Sequence, residues 1–301
     1  MSQILLTEVG PRDGLQNEKG LVPTEAKLAF LDALVDAGVT HVEAGSFVSP
    51  KWVPAMADTP EIFQRLRRRP GVKYIALVPN LRGLEGALAL QVTDIAVFTA
   101  ASETFNKKNI NMSIGESLAG IREVARIAKQ NGMWIRGYVS TCFGCPYEGK
   151  VPPAKVAEVA GQLAEIGVDE LSIGDTIGVA TPNQVPEIVG LAAERTPLEN
   201  IALHFHDTRG TALANVLAGL EAGVRKFDSS AGGLGGCPYA PGASGNLATE
   251  DLLYMLHGMG HETGIDLDKI VAASRGIADA LGRALPSRYL QAHLAQCARK
   301  A

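Results

Sequence analysis

Apolar and polar positions follow two rhythms along this chain. Eight short apolar runs recur at Ile4–Val9, His41–Phe47, Lys73–Val78, Asp94–Thr99, Trp134–Ser140, Glu170–Gly174, Ile201–His206 and Lys226–Ser230. They are near-continuous rather than alternating, as in strands covered on both faces of a parallel sheet. Between them apolar residues fall at helical spacing. Val156, Val159, Leu163 and Ile166 run to a stop at Gly167; Leu28, Leu31 and Val35 run to Gly38; Leu213, Val216, Leu217 and Leu220 run to Gly223. Thr59-Pro60-Glu61 reads as a helix start, with Thr59 as the cap, a proline at the first helical position and an acid in the first turn, and Thr181-Pro182 repeats the device.

Eight βα units predict an α/β fold, a closed (β/α)8 TIM barrel, with a doubly wound open sheet as the alternative. The barrel is expected over about residues 4–260 of a single domain spanning 1–301, with additional C-terminal helices over about 266–301 packed outside it. Two stretches break the rhythm. Ala101–Ser117 reads as a long polar loop after the fourth strand, and Gly232–Gly245 holds six glycines in fourteen residues. Both follow strands, so both are expected at the face where barrel active sites sit.

Composition narrows the function classes. The 301 residues carry 28 Lys+Arg against 32 Asp+Glu, and aromatics are 5%, which speaks against a nucleic-acid surface. No apolar run approaches the roughly 18 residues of a membrane span. The N-terminus, MSQILLTEVGPRDG, lacks a basic segment followed by an apolar one and enters a strand almost at once, so a cytoplasmic protein is expected. Four cysteines are too few for a disulfide scaffold.

Candidate chemistry gathers at strand ends. His204 and His206, two apart on the seventh strand, project to one side and suit a divalent metal; one core histidine and one surface histidine is the plainer alternative. Arg12-Asp13 closes the first strand. A salt bridge is the commoner reading, but there Asp13 can offer a hard oxygen ligand, and Arg12 can hold a developing enolate or a carboxylate. Glu43 lies inside an apolar strand and needs a partner, for which Arg12 is within reach. Asp175-Thr176 ends the sixth strand in the same way. Cys237, in the glycine-rich loop, is either a tuned acid or base or an incidental thiol, and Asn246 can complete a metal shell through its amide oxygen. Cys142-x-x-Cys145 has no second pair to make a zinc site, and Cys297 suggests no role. Lys107-Lys108-Asn109 either meets ligand phosphates or is a solvated basic face.

Together these motifs resemble the metal-dependent barrel superfamily of Claisen-type enzymes. Four strings point within it to the hydroxymethylglutaryl-CoA (HMG-CoA) lyases: Glu8–Glu18, Ser46–Met56, Gly144–Lys150 and Gly233–Leu252, supported by Ser172–Gly178 and His204–Gly210. The cysteine-bearing glycine loop is the most specific, because the related synthases share the metal ligands but lack it. The resemblance runs from the first strand to about Leu256. It implies a lyase that cleaves HMG-CoA to acetyl-CoA and acetoacetate, a late step of leucine degradation, with a divalent metal, Mg2+ or Mn2+, as cofactor. It implies Asp13, His204, His206 and Asn246 as metal ligands, Arg12 as enolate stabiliser, Cys237 as catalytic loop cysteine and Glu43 as an acidic active-site residue. Gln16, Ser46, Lys108, Asn109, Ser113 and Ser172 match positions for substrate or CoA contacts. It implies an acyl-CoA substrate, no nucleic-acid or membrane partner, and a homodimer or higher homo-oligomer. A longer 3-hydroxy-3-alkylglutaryl-CoA, or a condensing synthase of the same superfamily, is the alternative.

Overall fold

Eight parallel strands close on themselves in chain order in the computed structural model, which describes residues 3–18, 20–236 and 245–300. They are β1 (Leu5–Glu8), β2 (His41–Ser46), β3 (Lys73–Leu77), β4 (Asp94–Ala100), β5 (Trp134–Ser140), β6 (Glu170–Asp175), β7 (Ile201–Phe205) and β8 (Lys226–Ser229), with β8 pairing back onto β1. Each coincides to within a residue or two with one of the eight apolar runs. The closed barrel, not the open sheet, is therefore the fold.

Register sorts each strand into two sets of side chains, because successive residues point to opposite faces. The outward set includes Leu6, Val42, Ile95, Ile135, Ile173, Leu203 and Phe227. These belong to the large apolar core, which also takes in helix residues such as Leu34, Leu84, Val124, Leu163, Ile188 and Val216. The inward set is divided. Part of it is apolar, with Ile75, Leu77, Ala96 and the ring of Tyr138 forming a small separate cluster across β3, β4 and β5. Part of it is ionic: Glu43, Arg136, Glu170 and Asp228 are all at most 2% exposed. A barrel interior usually fills with branched apolar residues. Here several inward positions are charged, which demands that each charge find a partner.

The helical stops act as expected. Gly38 and Gly167 end their helices at φ 103 and 94, in the left-handed region that glycine adopts without strain. Two local expectations are corrected. Ala101–Ser117 is not a loop: it holds the helix Glu103–Ile110 and the start of Ile114–Gln130. Ser102 accepts from the Phe105 N–H at 3.1 Å, Asn111 ends the first helix at φ 56, and Ser113 and Glu116 form a reciprocal cap on the second. The short polar helix has too few apolar residues to show a stripe; its caps were the readable signal. Thr59 is not a cap either. The helix Thr59–Arg65 begins on it, and its hydroxyl turns inward to accept from the Ser46 N–H at 3.0 Å. At Thr181-Pro182 a short 3-10 turn, Pro182–Gln184, leads into the helix Val185–Ala193.

Beyond the barrel, helices Leu267–Leu281 and Arg288–Lys300 form the expected C-terminal addition. Asp266 caps the first, accepting from the Lys269 N–H, and its own N–H donates to the Ala37 carbonyl at 2.8 Å. Among the described residues, no helix is long and apolar enough to cross a membrane.

Candidate active site

The chain leaves β1 in a single wide turn, Gly10–Gly14, in which the Gly14 N–H reaches back to the Val9 carbonyl at 3.1 Å. Such π-type turns are rare and recur at functional sites. A buried carboxylate fixes this one. Glu8 accepts from the Gly10 N–H at 2.8 Å, from the Ala231 N–H at 2.9 Å and from the Thr249 hydroxyl at 2.7 Å. It thereby ties the turn to both ends of the glycine-rich segment. Burial pushes its carboxyl up to about 7.

The turn presents Arg12 and Asp13 at the strand-end face. The Arg12 Nε donates to Glu43 at 2.7 Å, its Nη2 pairs with the same carboxylate, and its Nη1 donates to Asp13 at 2.8 Å. Glu43 is also held by the Tyr138 hydroxyl at 2.8 Å. Desolvation works against the Arg12 charge, but Glu43 and Asp13 outweigh it and raise its pKa. Burial raises Tyr138 well above the ordinary phenol value, so it stays a donor.

Opposite this group stand the two histidines, ring centroids 5.2 Å apart. Donor atoms of Asp13, His204 and His206 all lie within 4.8 Å of one another, a grouping suited to one cation. After the glycine-rich segment the chain returns beside β7, and a bridge pairs Asn246 with His206. The Asn246 amide donates to Asp13 at 2.8 Å and to the Leu234 carbonyl at 3.1 Å. Both amide hydrogens are thus used, and the amide oxygen is left buried without a partner. His206 Nδ1 is likewise buried and unpartnered.

Orphaned buried acceptors are costly, and two beside a carboxylate and a second imidazole fit a divalent cation with mixed nitrogen and oxygen ligands. The protonation states of Asp13 and His206 agree, whereas at His204 burial is outweighed by Asp228 and Asp13, which raise its pKa. Burial favours the neutral Asp13 carboxyl, but Arg12, both imidazoles and Asn246 outweigh it and hold it at about 2. Burial, then the neighbouring His204, depresses His206 to about 4, which leaves a lone pair for coordination.

The other sequence candidates divide. Ser46 is buried with its hydroxyl unpartnered, as is the Gln16 side-chain oxygen. Ser172 sits inside the barrel and donates to Asp228 at 3.2 Å. Asp175 is a loop clasp, accepting from the Val179 and Ala180 N–H groups at 2.9 and 3.0 Å. Lys108 and Asn109 lie on the helix Glu103–Ile110, with the Lys108 ammonium 4.0 Å above the Tyr147 ring, and Ser113 is a helix cap. Cys142 and Cys145 are buried free thiols, the former donating to the Val139 carbonyl at 3.0 Å, and Cys297 is exposed. Cys237 lies outside the described residues.

Sequence reasoning missed three residues: Asp228, Arg136 and Tyr138. His204 Nδ1 lies 3.0 Å from Asp228, and Arg136 pairs with the other Asp228 oxygen. The signal that exposed Glu43, a charge inside an apolar strand, was equally present in Trp134–Ser140 and Lys226–Ser230.

Fold and site define a (β/α)8 enzyme in which two histidines and a carboxylate are grouped as a cation would need, beside a buried arginine. The comparisons are specific within that class. Residues 3–277 match the HMGL-like family model. The chain is 52% identical over 290 residues to the mitochondrial hydroxymethylglutaryl-CoA lyase of Bos taurus, covering 96% of this chain and 89% of that one. A Danio rerio relative, a cytoplasmic 3-hydroxy-3-methylglutaryl-CoA lyase, is 50% identical over 289 residues, covering 96% and 86%. The crystal structure of hydroxymethylglutaryl-CoA lyase from Pseudomonas aeruginosa superposes with a TM-score of 0.96 at 50% identity, covering 98% of each chain. The chain belongs to the HMG-CoA lyase family. The match continues past about Leu256, the limit of the resemblance read from the sequence, into the helix Leu267–Leu281.

Proposed function

We propose that this protein cleaves 3-hydroxy-3-methylglutaryl-CoA into acetyl-CoA and acetoacetate, a step of leucine breakdown. The observation that supports the chemistry is the convergence of Asp13, His204 and His206 on one point beside Arg12. The acyl group is supported by the names of relatives that match nearly the whole chain.

The reaction removes the proton of a tertiary hydroxyl and breaks the adjacent carbon–carbon bond. The electron pair is left as a thioester enolate, which then takes up a proton at carbon. Asp13, His204, His206 and Asn246 would hold a divalent ion, Mg2+ or Mn2+, which supplies Lewis acidity toward the hydroxyl. Arg12 is the cation available to the enolate oxygen. It is already oriented by Glu43 and Tyr138, so it needs no reorganisation as charge develops. Cys237 is assigned the proton exchange at carbon on its sequence motif. Gln16 and Ser46 have side-chain oxygens free to meet substrate polar groups; Lys108, Asn109, Ser113 and Ser172 are assigned substrate or CoA contacts on the motif match alone.

A cytoplasmic setting and a homo-oligomer belong to the same proposal. The name of the zebrafish relative supports the first, while the bovine relative is mitochondrial. Incubation with HMG-CoA, with and without added Mg2+, followed by acetoacetate assay, tests the central reading. Metal-dependent acetoacetate formation is expected. Activity that survives chelation and gel filtration refutes the metal assignment, and no product from the metal-loaded protein refutes the substrate.

A further inference from the structure

We infer that Asp228 is a positioning residue that sets the tautomer and aim of the metal ligand His204, an inference that rests on the metal reading above. Asp228 and His204 are register partners on the adjacent strands β8 and β7, so their side chains enter the barrel side by side. The carboxylate is 2% exposed and divides its oxygens. Oδ1 pairs with Arg136; Oδ2 accepts from the Ser172 hydroxyl at 3.2 Å and lies 3.0 Å from His204 Nδ1. Arg136 and Ser172 hold the carboxylate from two neighbouring strands. An ionised carboxylate only accepts, so Nδ1 must carry a proton, and in the neutral ring Nε2 then keeps its lone pair for the cation. Such carboxylate–histidine–metal chains fix ring orientation and raise ligand basicity.

The chain continues away from the site. Arg136 lies 3.4 Å from Glu170, and Lys226 pairs with Glu170 at 2.8 Å. Asp228, Arg136, Glu170 and Lys226 thus form one support behind His204 rather than a set of unrelated pairs. A plain counter-ion role for Asp228 toward Arg136 would use Oδ1 alone. It would leave unexplained why Oδ2 takes both the histidine and the serine.

The substitution Asp228→Asn separates these roles by its chemistry. Arg136 offers only donors, so the amide oxygen must face it. The amide nitrogen then faces His204, makes Nδ1 an acceptor and moves the ring proton to Nε2, the atom meant for the cation. Loss of such a support typically weakens metal binding by about 10- to 100-fold. The experiment is Mn2+ titration of metal-stripped protein, read by the electron paramagnetic resonance of free Mn2+, together with circular dichroism. The double variant Arg136→Gln/Asp228→Asn removes both buried charges at once, and so covers the case in which the single variant does not fold. A rise in Mn2+ Kd of about tenfold or more in a folded variant is expected. The 15N shifts of the His204 ring should also move the proton from Nδ1 to Nε2 in the single variant. A Kd within about threefold of the wild type would overturn the inference and leave Asp228 a counter-ion. If the wild type binds no Mn2+, the metal reading falls and this inference with it. If the wild type binds Mn2+ but releases no acetoacetate, only the substrate reading falls, and the Asp228 result stands.

Discussion

Replacing Arg12 by Gln separates catalysis from stability, because the proposed reaction gives the guanidinium a part in the first and its buried ion pair gives it a part in the second. Arg12 is 7% exposed and Glu43 is fully buried, and they are joined by two contacts. Removing one member of a buried pair typically costs about 3–5 kcal/mol, because the remaining charge is left uncompensated. The Tyr138 hydroxyl still donates to Glu43, which places Arg12→Gln near the lower end of that range. The loss of a positioned charge at the enolate oxygen separately removes about 10²–10³ from kcat. The double variant Arg12→Met/Glu43→Gln removes both charges and leaves Tyr138 an acceptor. It should recover much of the stability and none of the activity. Acetoacetate release at saturating HMG-CoA and Mg2+ reports kcat, and urea midpoints report stability. The reasoning fails if Arg12→Gln keeps kcat within about tenfold of wild type. It fails equally if the double variant regains activity along with stability, since the loss would then have been structural.

Three further outcomes are expected. Asn246→Ala removes the unpartnered amide oxygen and a donor to Asp13, so the Mg2+ concentration for half-activation should rise about tenfold or more, and an unchanged activation curve would remove Asn246 from the ligand set. Cys237→Ser should reduce turnover far more than metal affinity, as separate turnover and Mn2+ titrations would show; equal losses would recast the thiol as structural. Burial raises Glu8 and Glu250 from 4.5 to about 7, so the folded chain binds more protons than the unfolded chain between these values. Their contribution to stability is fully present below pH 4.5 and is lost as pH rises through about 7. Urea midpoints across that window should show a downward component that Glu8→Gln/Glu250→Gln flattens.

Much of this fold was legible because a barrel strand is written in a simple code. Burial on both faces makes each strand a nearly uninterrupted apolar run, and eight such runs separated by glycine-stopped helices admit few topologies. The helix Glu103–Ile110 shows no apolar stripe, and only its caps at Ser102 and Asn111 mark it in the sequence. Spacing put both histidines on one side of β7, and the inclusion of Asp13 in the cluster followed from its place at the end of β1. Asn246 needed more, because it reaches His206 only by the return of the chain after the glycine-rich segment.

Asp228 shows where reading by type stops short. Glu43 stands out as a charge in an apolar run, and Arg12 at the end of the neighbouring strand satisfies it. The same rule applied to Lys226–Ser230 asks what a buried aspartate on the last strand must face. The answer depends on register across strands β5 to β8, which no single run contains: His204 beside Asp228, and Arg136 and Ser172 reaching it from β5 and β6. A buried charge in a barrel strand is therefore a statement about strands the local sequence does not show. The buried inward charges Glu43, Arg136, Glu170 and Asp228 describe a single arrangement. One acid orients the arginine at the strand-end face, and the other three brace the histidine that faces it.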